Sequence, residues 1–259
     1  MQIEESLFHV LDLGRHSVNL PLQDVLIDLP RAVPGRMIGI PERYHLMFPI
    51  DLDYLLFWVD HIGRRIQDGI DFEEIVVAPD DADARAEILL LSPSILVPCL
   101  TYNEIRVWDT LAIGEFLNEI APKAGLLPKD QAVRAHCRSV CGEMHSGFVA
   151  LRQALPMNIK AEFPSFKIWS KARADIDRIV IIWSECLQAY GGPFLFGSKI
   201  TMADAMYAPV VSRFRTYGIK LDGELKSYAE RIWDLPAMQE WREAALAEKE
   251  EIEELEVEF

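Results

Sequence analysis

LVPCLTYNEIRVWDTLAIGEFL, residues 96–117, is the stretch that decides the fold. Its pattern predicts a β-hairpin, in which residues 97–100 form a strand, Tyr102 to Glu104 turn the chain and Ile105 to Trp108 return it. A helix follows at once, with apolar residues at helical spacing on its inward face. These apolar residues are Leu111, Ile113, Phe116 and Leu117. A hairpin that leads directly into a helix N-terminus forms an anion-binding site.

The two residues at the start of this helix offer complementary charges to a ligand. Thr110 is expected at the cap, where its hydroxyl, the unpaired N–H groups and the positive helix end attract a carboxylate. Asp109 can hold an ammonium group, so one amino-acid zwitterion has both charges met by adjacent residues. A cis Val97–Pro98 bond would leave the Val97 backbone free to pair with an extended peptide. The alternative is an ordinary hairpin and a capped helix.

Three other segments resemble the cytosolic, two-domain glutathione transferases of bacteria, as residues 96–117 also do. They are FEEIVVAPDDADARAEILLLSPS (72–94), PFLFGSKITMADAMYAPVVSRFRTYG (193–218) and LPAMQEW (235–241). The resemblance covers residues 72–246, and it implies the glutathione transferase fold. In that fold an α/β thioredoxin-like domain precedes an all-α C-terminal helical domain.

The resemblance also implies a ligand and an assembly. It implies glutathione as co-substrate, with its γ-glutamyl end at the start of the predicted helix. The glutathione-binding residues are then Val97, Pro98, Asp109 and Thr110. Members of this family are usually homodimers in which the first domain of one chain contacts the second domain of the other, so a homodimer is expected here.

Composition limits the class of protein. The chain has 259 residues, 50% of them hydrophobic, which is enough for one large or two modest domains with a proper core. A formal net charge of −15 argues against binding to nucleic acid or to anionic membranes, which need basic patches. The four cysteines show no CxxC pair or disulfide-rich spacing. Because neither a secretory leader nor a membrane-spanning run is evident, we expect a soluble cytoplasmic protein.

Three regions are expected along the chain. Residues 1–43 do not match the family, and we interpret them as an N-terminal extension that packs on the first domain or serves as a lid or partner-binding arm. Residues 44–121 are expected to form the thioredoxin-like, glutathione-binding domain, with its first strand at residues 44–50. Residues 122–259 are expected to form the helical domain with its acidic tail, and residues 131–155 are predicted to be one long helix.

The group that activates the thiol is the least defined part of the site. In this family a Ser, Tyr or Cys after the first strand stabilises the thiolate. The corresponding loop falls on residues 49–58, which contain no Ser or Cys, and Tyr54 is the candidate catalytic residue. The alternative for Tyr54 is an aromatic side chain on a helix face. If the first strand starts at Met37 instead, Tyr44 takes this place.

A second departure from the family lies just before the hairpin. Ile95 and Leu96 stand where the family usually has a Gly-Lys pair before Val-Pro. The missing ammonium removes a contact with the glycine carboxylate of glutathione, which costs roughly 1.5–3 kcal/mol. Either glutathione binds weakly, or the preferred ligand lacks that carboxylate.

The first long helix of the second domain contains the run EMHSGF, which resembles the segment that faces the cleft between the domains. Met144, His145 and Phe148 are therefore expected to line a pocket for a hydrophobic co-substrate, with interdomain packing as the alternative. Cys137, Cys141 and His145 share one face of this helix, but they extend over about 12 Å of rise and do not converge on a metal ion. We expect no metal, and we interpret the thiols as core residues.

Three further features have structural interpretations. Thr201 to Asp204 (TMAD) forms a capping box at a buried helix start, with Asp in place of Glu. Arg213 and Arg215 could reach an anionic substrate, but ion pairs between helices are favoured. Cys99 is expected to be buried and inert.

The sequence supports three functions. The first is a glutathione transferase-type enzyme, which binds glutathione or a related thiol and acts at an electrophilic carbon of an apolar co-substrate. The second is a catalytically silent binding or regulatory module, and the third is a specialised pathway enzyme that uses an unusual thiol. The deciding feature is whether the loop after the first strand presents a hydroxyl to the cleft or fills it with Leu55, Leu56 and Phe57.

Overall fold

The structure is a computed structural model, and its first part is a sheet of four short strands. It describes residues 36–39 and 73–76 as backbone, and residues 98–103 and 105–247 with their side chains. The strands are β1 (Arg36–Gly39), β2 (Glu73–Val76), β3 (Cys99–Tyr102) and β4 (Ile105–Val107). Their order is β2-β1-β3-β4, in which β1 and β2 are parallel and the other two pairs are antiparallel.

The position of β1 differs from the expected domain start. Arg36–Gly39 lies within the segment interpreted as an extension, yet it pairs with strands on both sides. The first domain therefore includes residues before Tyr44. This strand matches the alternative start at Met37, whereas the expected strand at residues 44–50 lies outside the described residues.

The predicted hairpin is confirmed. Tyr102 of β3 pairs with Ile105 of β4, and Asn103 lies in the turn between them. Asn103 has a φ of 54°, and asparagine tolerates this left-handed conformation better than most residues.

Seven helices follow among the described residues. They are α1 (Thr110–Ile120), α2 (Gln131–Ser146), α3 (Val149–Ala154), α4 (Ser170–Tyr190), α5 (Met202–Thr216), α6 (Gly223–Trp233) and α7 (Pro236–Ala247), with a 3₁₀ turn at Pro122–Ala124. The single helix predicted over residues 131–155 is wrong. It is broken between α2 and α3, because Gly147 is extended and Phe148 has a φ of 58°.

Helix α5 is the centre of the helical domain. It packs against α2 and α6, and all of its residues are buried except Arg215. A helix that is buried on every side cannot satisfy its first N–H groups with water, so it needs internal acceptors. None of the helices among the described residues is long and apolar enough to cross a membrane.

The predicted capping box at the start of α5 is confirmed. The Asp204 carboxylate accepts hydrogen bonds from the backbone N–H of Leu195 at 2.8 Å and of Thr201 at 2.7 Å, and from the Thr201 hydroxyl at 2.8 Å. Asp204 is fully buried, and this burial raises its pKa to about 6 although the hydrogen bonds act in the opposite direction.

The C-terminal end of α5 anchors the loop that follows α3. Arg213 is buried, and its Nε donates to the Leu155 carbonyl at 3.0 Å. The Tyr217 hydroxyl donates to the Pro156 carbonyl at 2.9 Å. Arg215 lies over the Trp233 ring at 4.7 Å. These contacts are with backbone carbonyls and with an aromatic ring, and the ion pairs expected for the two arginines stay a prediction.

Asp204→Ala is predicted to lower the free energy of unfolding by about 2–4 kcal/mol, because it leaves buried N–H donors without an acceptor. Urea unfolding measures the change. Asp130→Ala is the control, because Asp130 caps α2 at an exposed position and its loss is expected to cost about 1 kcal/mol. The account is contradicted if the two variants lose the same stability.

The raised pKa of Asp204 also predicts a pH dependence. The folded chain holds this proton up to about pH 6, whereas an unfolded Asp releases it near pH 3.9. Proton binding by folded Asp204 therefore adds a stabilisation that is complete below about pH 3.9 and is lost as the pH rises through about 6, whereas its role as a hydrogen-bond acceptor remains. The difference in unfolding free energy between the unsubstituted chain and Asp204→Asn is expected to change across this window. A constant difference would show that folding does not shift the pKa of Asp204.

Candidate functional site

Two helix ends of opposite polarity meet at the end of the hairpin. Asp109 precedes α1, where the helix dipole is positive, and His145 lies in the last turn of α2, where the dipole is negative. Asp109 Oδ2 lies 3.5 Å from His145 Nε2. Both side chains are accessible, with 39% of Asp109 and 21% of His145 exposed. A zwitterionic ligand can therefore reach both helix ends at this point.

Asp109, and not Thr110, is the N-cap of α1. Its Oδ1 accepts hydrogen bonds from the backbone N–H of Leu111 at 2.9 Å and of Ala112 at 3.2 Å. The expectation that Thr110 caps the helix is wrong, because Asp109 has the extended backbone of a cap residue and Thr110 is already the first helical residue. The second Asp109 oxygen, Oδ2, is turned toward His145 and remains available to a cation.

Thr110 carries the most unusual polar group of the site. The residue is only 4% exposed, and its Oγ1 has no hydrogen-bond partner among the described residues. A buried hydroxyl without a partner costs about 1–3 kcal/mol, so a ligand that accepts from Thr110 Oγ1 would remove this cost. Its position beside Asp109 at the positive end of α1 suits a carboxylate.

Helices α1 and α2 are held together beside the site. Arg138 of α2 donates from Nε and from one terminal nitrogen to the two carboxylate oxygens of Glu115, each at 2.7 Å. Ile113 and Leu117 of α1 belong to the same apolar core as Val140 of α2. The exposed ion pair adds little stability, but its two bonds fix the relative orientation of the helices.

The residues expected to line a co-substrate pocket separate into two groups. Met144 is fully buried and Phe148 is 7% exposed, and both belong to the apolar core. His145 points the other way and contacts Asp109. Of the three residues, only His145 is brought to the start of α1.

The remaining glutathione-binding and catalytic candidates are only partly placed. Pro98 is buried directly before β3. Val97 and Tyr54 lie outside the described residues, and so does the predicted cis bond between Val97 and Pro98. Cys99 is fully buried at the start of β3.

The thiols of α2 belong to the core. Cys137 and Cys141 are fully buried, and a hydrogen bond with Cys137, together with burial, raises the pKa of the Cys141 thiol. Within residues 98–103 and 105–247, no group of three His, Cys, Asp or Glu side chains could hold a metal ion.

Sequence reasoning missed the pairing of Asp109 with His145. The two residues are far apart in sequence, and no spacing rule brings them together. The available signals were an acidic residue at a helix start and a histidine in a helix's last turn, which are both common for reasons of helix stability alone.

Comparison with known proteins identifies the helical domain. Residues 132–244 match the family described as Glutathione S-transferase, C-terminal domain. Maleylacetoacetate isomerase from Rattus norvegicus is 26% identical over 156 residues, which is 59% of this chain and 71% of that protein. These matches confirm the resemblance on which the expected fold rested.

Solved structures give the same result for the fold. A glutathione transferase homolog from Burkholderia gl BGR1, crystallised with bound glutathione, is 21% identical with a TM-score of 0.59 and covers 83% of this chain and 100% of its own. A glutathione S-transferase from the Antarctic clam Laternula elliptica is 20% identical with a TM-score of 0.61 and covers 86% of this chain and 99% of its own. The expected fold class, a thioredoxin-like domain followed by a helical domain, is confirmed.

Thr110→Val is predicted to weaken glutathione binding roughly 10- to 100-fold, the value of a hydrogen bond to a charged group. The same substitution removes an unpartnered buried hydroxyl, so the ligand-free melting temperature should stay the same or rise. Isothermal titration and thermal unfolding measure the two effects. Thr110→Ser retains the hydroxyl and is the control, so equal binding by Thr110→Val and Thr110→Ser would contradict this role.

Proposed function

Because the chain has the glutathione transferase fold and its helical domain belongs to the glutathione S-transferase C-terminal domain family, we propose that it binds glutathione or a related thiol and uses it at an electrophilic carbon of an apolar co-substrate. The observation that carries this proposal is the unpartnered, buried Thr110 hydroxyl beside Asp109. In the proposal the γ-glutamyl carboxylate accepts from Thr110, and the ammonium binds Asp109 Oδ2.

The charges at the site support this orientation. The positive end of α1 attracts a carboxylate, and Asp109 Oδ1 keeps the next two N–H groups of the helix occupied. A carboxylate therefore has its best donor in Thr110. Since Asp109 Oδ2 is not used in capping, it is the anion that an ammonium group can reach.

The contact with the glycine carboxylate, at the other end of glutathione, is proposed to be weak. Ile95 and Leu96 supply no ammonium for a glycine carboxylate. The site is therefore proposed to accept γ-glutamyl thiols that have a neutral or absent C-terminal residue about as well as glutathione.

The thiol-activating group is proposed to be a tyrosine. The described strand β1 ends at Gly39, and Tyr44 is the first hydroxyl-bearing residue after it in the sequence. This position favours Tyr44, while Tyr54 remains the candidate if the loop after the first strand falls on residues 49–58. A phenol that donates to the sulfur would stabilise thiolate over thiol.

The reaction is proposed to be isomerisation, and the names of relatives such as the rat maleylacetoacetate isomerase support this choice. In such a reaction the thiolate adds to one carbon of an activated double bond and leaves a carbanion on the other side. The remaining single bond can rotate, and expulsion of the thiolate restores the double bond. The thiol is then released unchanged, and the protein contributes orientation and thiol ionisation.

The proposed working form is a cytoplasmic homodimer. All four cysteines are free and buried, which suits a reducing compartment. No metal takes part in the proposed reaction, and glutathione is a co-substrate and not a bound cofactor.

Asp109→Asn is predicted to lower the affinity for glutathione by roughly tenfold or more, because the amide keeps the Oδ1 cap but cannot pair with an ammonium charge. Isothermal titration measures the affinity. Asp130→Asn is the matched control, since Asp130 caps α2 through N–H bonds of 2.9 and 3.0 Å and lies away from the site. No binding to the unsubstituted chain at millimolar glutathione, or equal binding by the two variants, would overturn the proposed site.

The second candidate function is a binding module without catalysis. It is favoured by the sequence between Ser17 and Ser92, which contains no Ser or Cys for thiol activation.

The ionisation of the bound thiol separates the two functions. For an enzyme, the ultraviolet thiolate absorbance of bound glutathione should titrate at least one pH unit below the ordinary value of about 8.5. Tyr44→Phe or Tyr54→Phe should return it to that value and identify the donor. An unshifted thiol in the unsubstituted complex would favour the binding module.

A further inference from the structure

The last turn of α2 carries a residue that the proposed binding of a γ-glutamyl thiol does not yet use. His145 Nε2 lies 3.5 Å from Asp109 Oδ2, and 21% of the His145 side chain is exposed. Its neighbours Met144 and Phe148 are both buried in the apolar core. The helix therefore presents one polar side chain to the start of α1, between two residues that pack inward.

Backbone groups around His145 cannot replace it. At the end of α2, Gly147 N–H donates to the Glu143 carbonyl, and Arg152 donates to the carbonyls of Met144 and Gly147. These carbonyls would otherwise attract a ligand ammonium group, because they form the negative end of the helix. With these three carbonyls already accepting hydrogen bonds, Asp109 Oδ2 is an accessible carboxylate oxygen that an ammonium can bind beside the end of α2.

A carboxylate oxygen can accept more than one hydrogen bond, so His145 and a ligand can share Asp109 Oδ2. The other oxygen, Oδ1, is fixed by the two N–H groups of α1. The carboxylate plane can still rotate about its bond to Cβ, and a donor on Oδ2 limits that rotation. At 3.5 Å, His145 Nε2 is in polar contact with Oδ2 and is not at hydrogen-bond distance, and the imidazole beside this oxygen limits the same rotation.

We infer that His145 is a positioning residue, which holds Asp109 Oδ2 toward the ligand and so makes the site selective for thiols that carry a free α-ammonium group. This inference rests on the proposed function and adds to it the residue that determines recognition of the amino group. His145 acts through Asp109, at the γ-glutamyl end of the ligand, and not on the thiol.

The inference predicts an effect that depends on the ligand. His145→Phe removes this polar contact and is expected to weaken glutathione binding about fivefold. Binding of glutaryl-cysteinyl-glycine, which is glutathione without the amino group, should change by less than twofold. A purely structural role for His145 would weaken both ligands equally.

Two variants serve as references. His145→Gln places an amide N–H near the position of Nε2 and should restore most of the preference for the amino group. His136→Phe makes the same substitution on α2 away from the site, where His136 Nδ1 contacts the Tyr190 hydroxyl at 2.7 Å. It should leave the ratio of the two affinities unchanged.

Isothermal titration of the unsubstituted chain and the three variants with both peptides tests the inference. A ratio of affinities that falls about fivefold in His145→Phe and recovers in His145→Gln is the expected result. An unchanged ratio, or tighter glutathione binding by His145→Phe, would overturn the inference alone, provided that the unsubstituted chain binds glutathione. Absence of glutathione binding to the unsubstituted chain would overturn the proposed function and this inference together.

Discussion

The buried start of helix α5 needs internal hydrogen-bond acceptors, and the rest of the structure depends on how this need is met. The Asp204 carboxylate accepts from the N–H groups of Leu195 and Thr201. The Leu126 carbonyl accepts from Met202 N–H at 2.8 Å. Met202 in turn packs against Gly114 of α1, where a Cβ would lie 2.9 Å from Met202 Sδ and Cε. The capped start of α5 thus supports α1, and α1 carries Asp109 and Thr110 at its own start.

The candidate site follows from this support, because it forms where two helix ends come together. The positive end of α1 offers Thr110 to an anion, and the adjacent Asp109 oxygen faces His145 at the negative end of α2. An amino-acid zwitterion matches both ends at once. Opposite helix polarities therefore provide much of the recognition, and only a few polar side chains are needed to direct it.

The sequence predicted the local features well. The hairpin that follows Leu96 and the Thr201–Asp204 capping box were both readable, since each depends on residues close together in sequence. The break in the helix after α2 was missed, although Gly147 stands at that point, because helical periodicity continues through α3. The pairing of Asp109 with His145 was not predictable, since it depends on how α1 packs on α2. The start of the first domain was misplaced because residues 44–50 are more apolar than the short strand β1.

The most direct measurement is a crystal structure of the chain with glutathione. The account predicts that the γ-glutamyl carboxylate accepts from Thr110 Oγ1 and that the ammonium binds Asp109 Oδ2 beside His145. Glutathione bound elsewhere, or at this place with the Thr110 hydroxyl still unpartnered, would contradict the claim that these two helix ends form the ligand site.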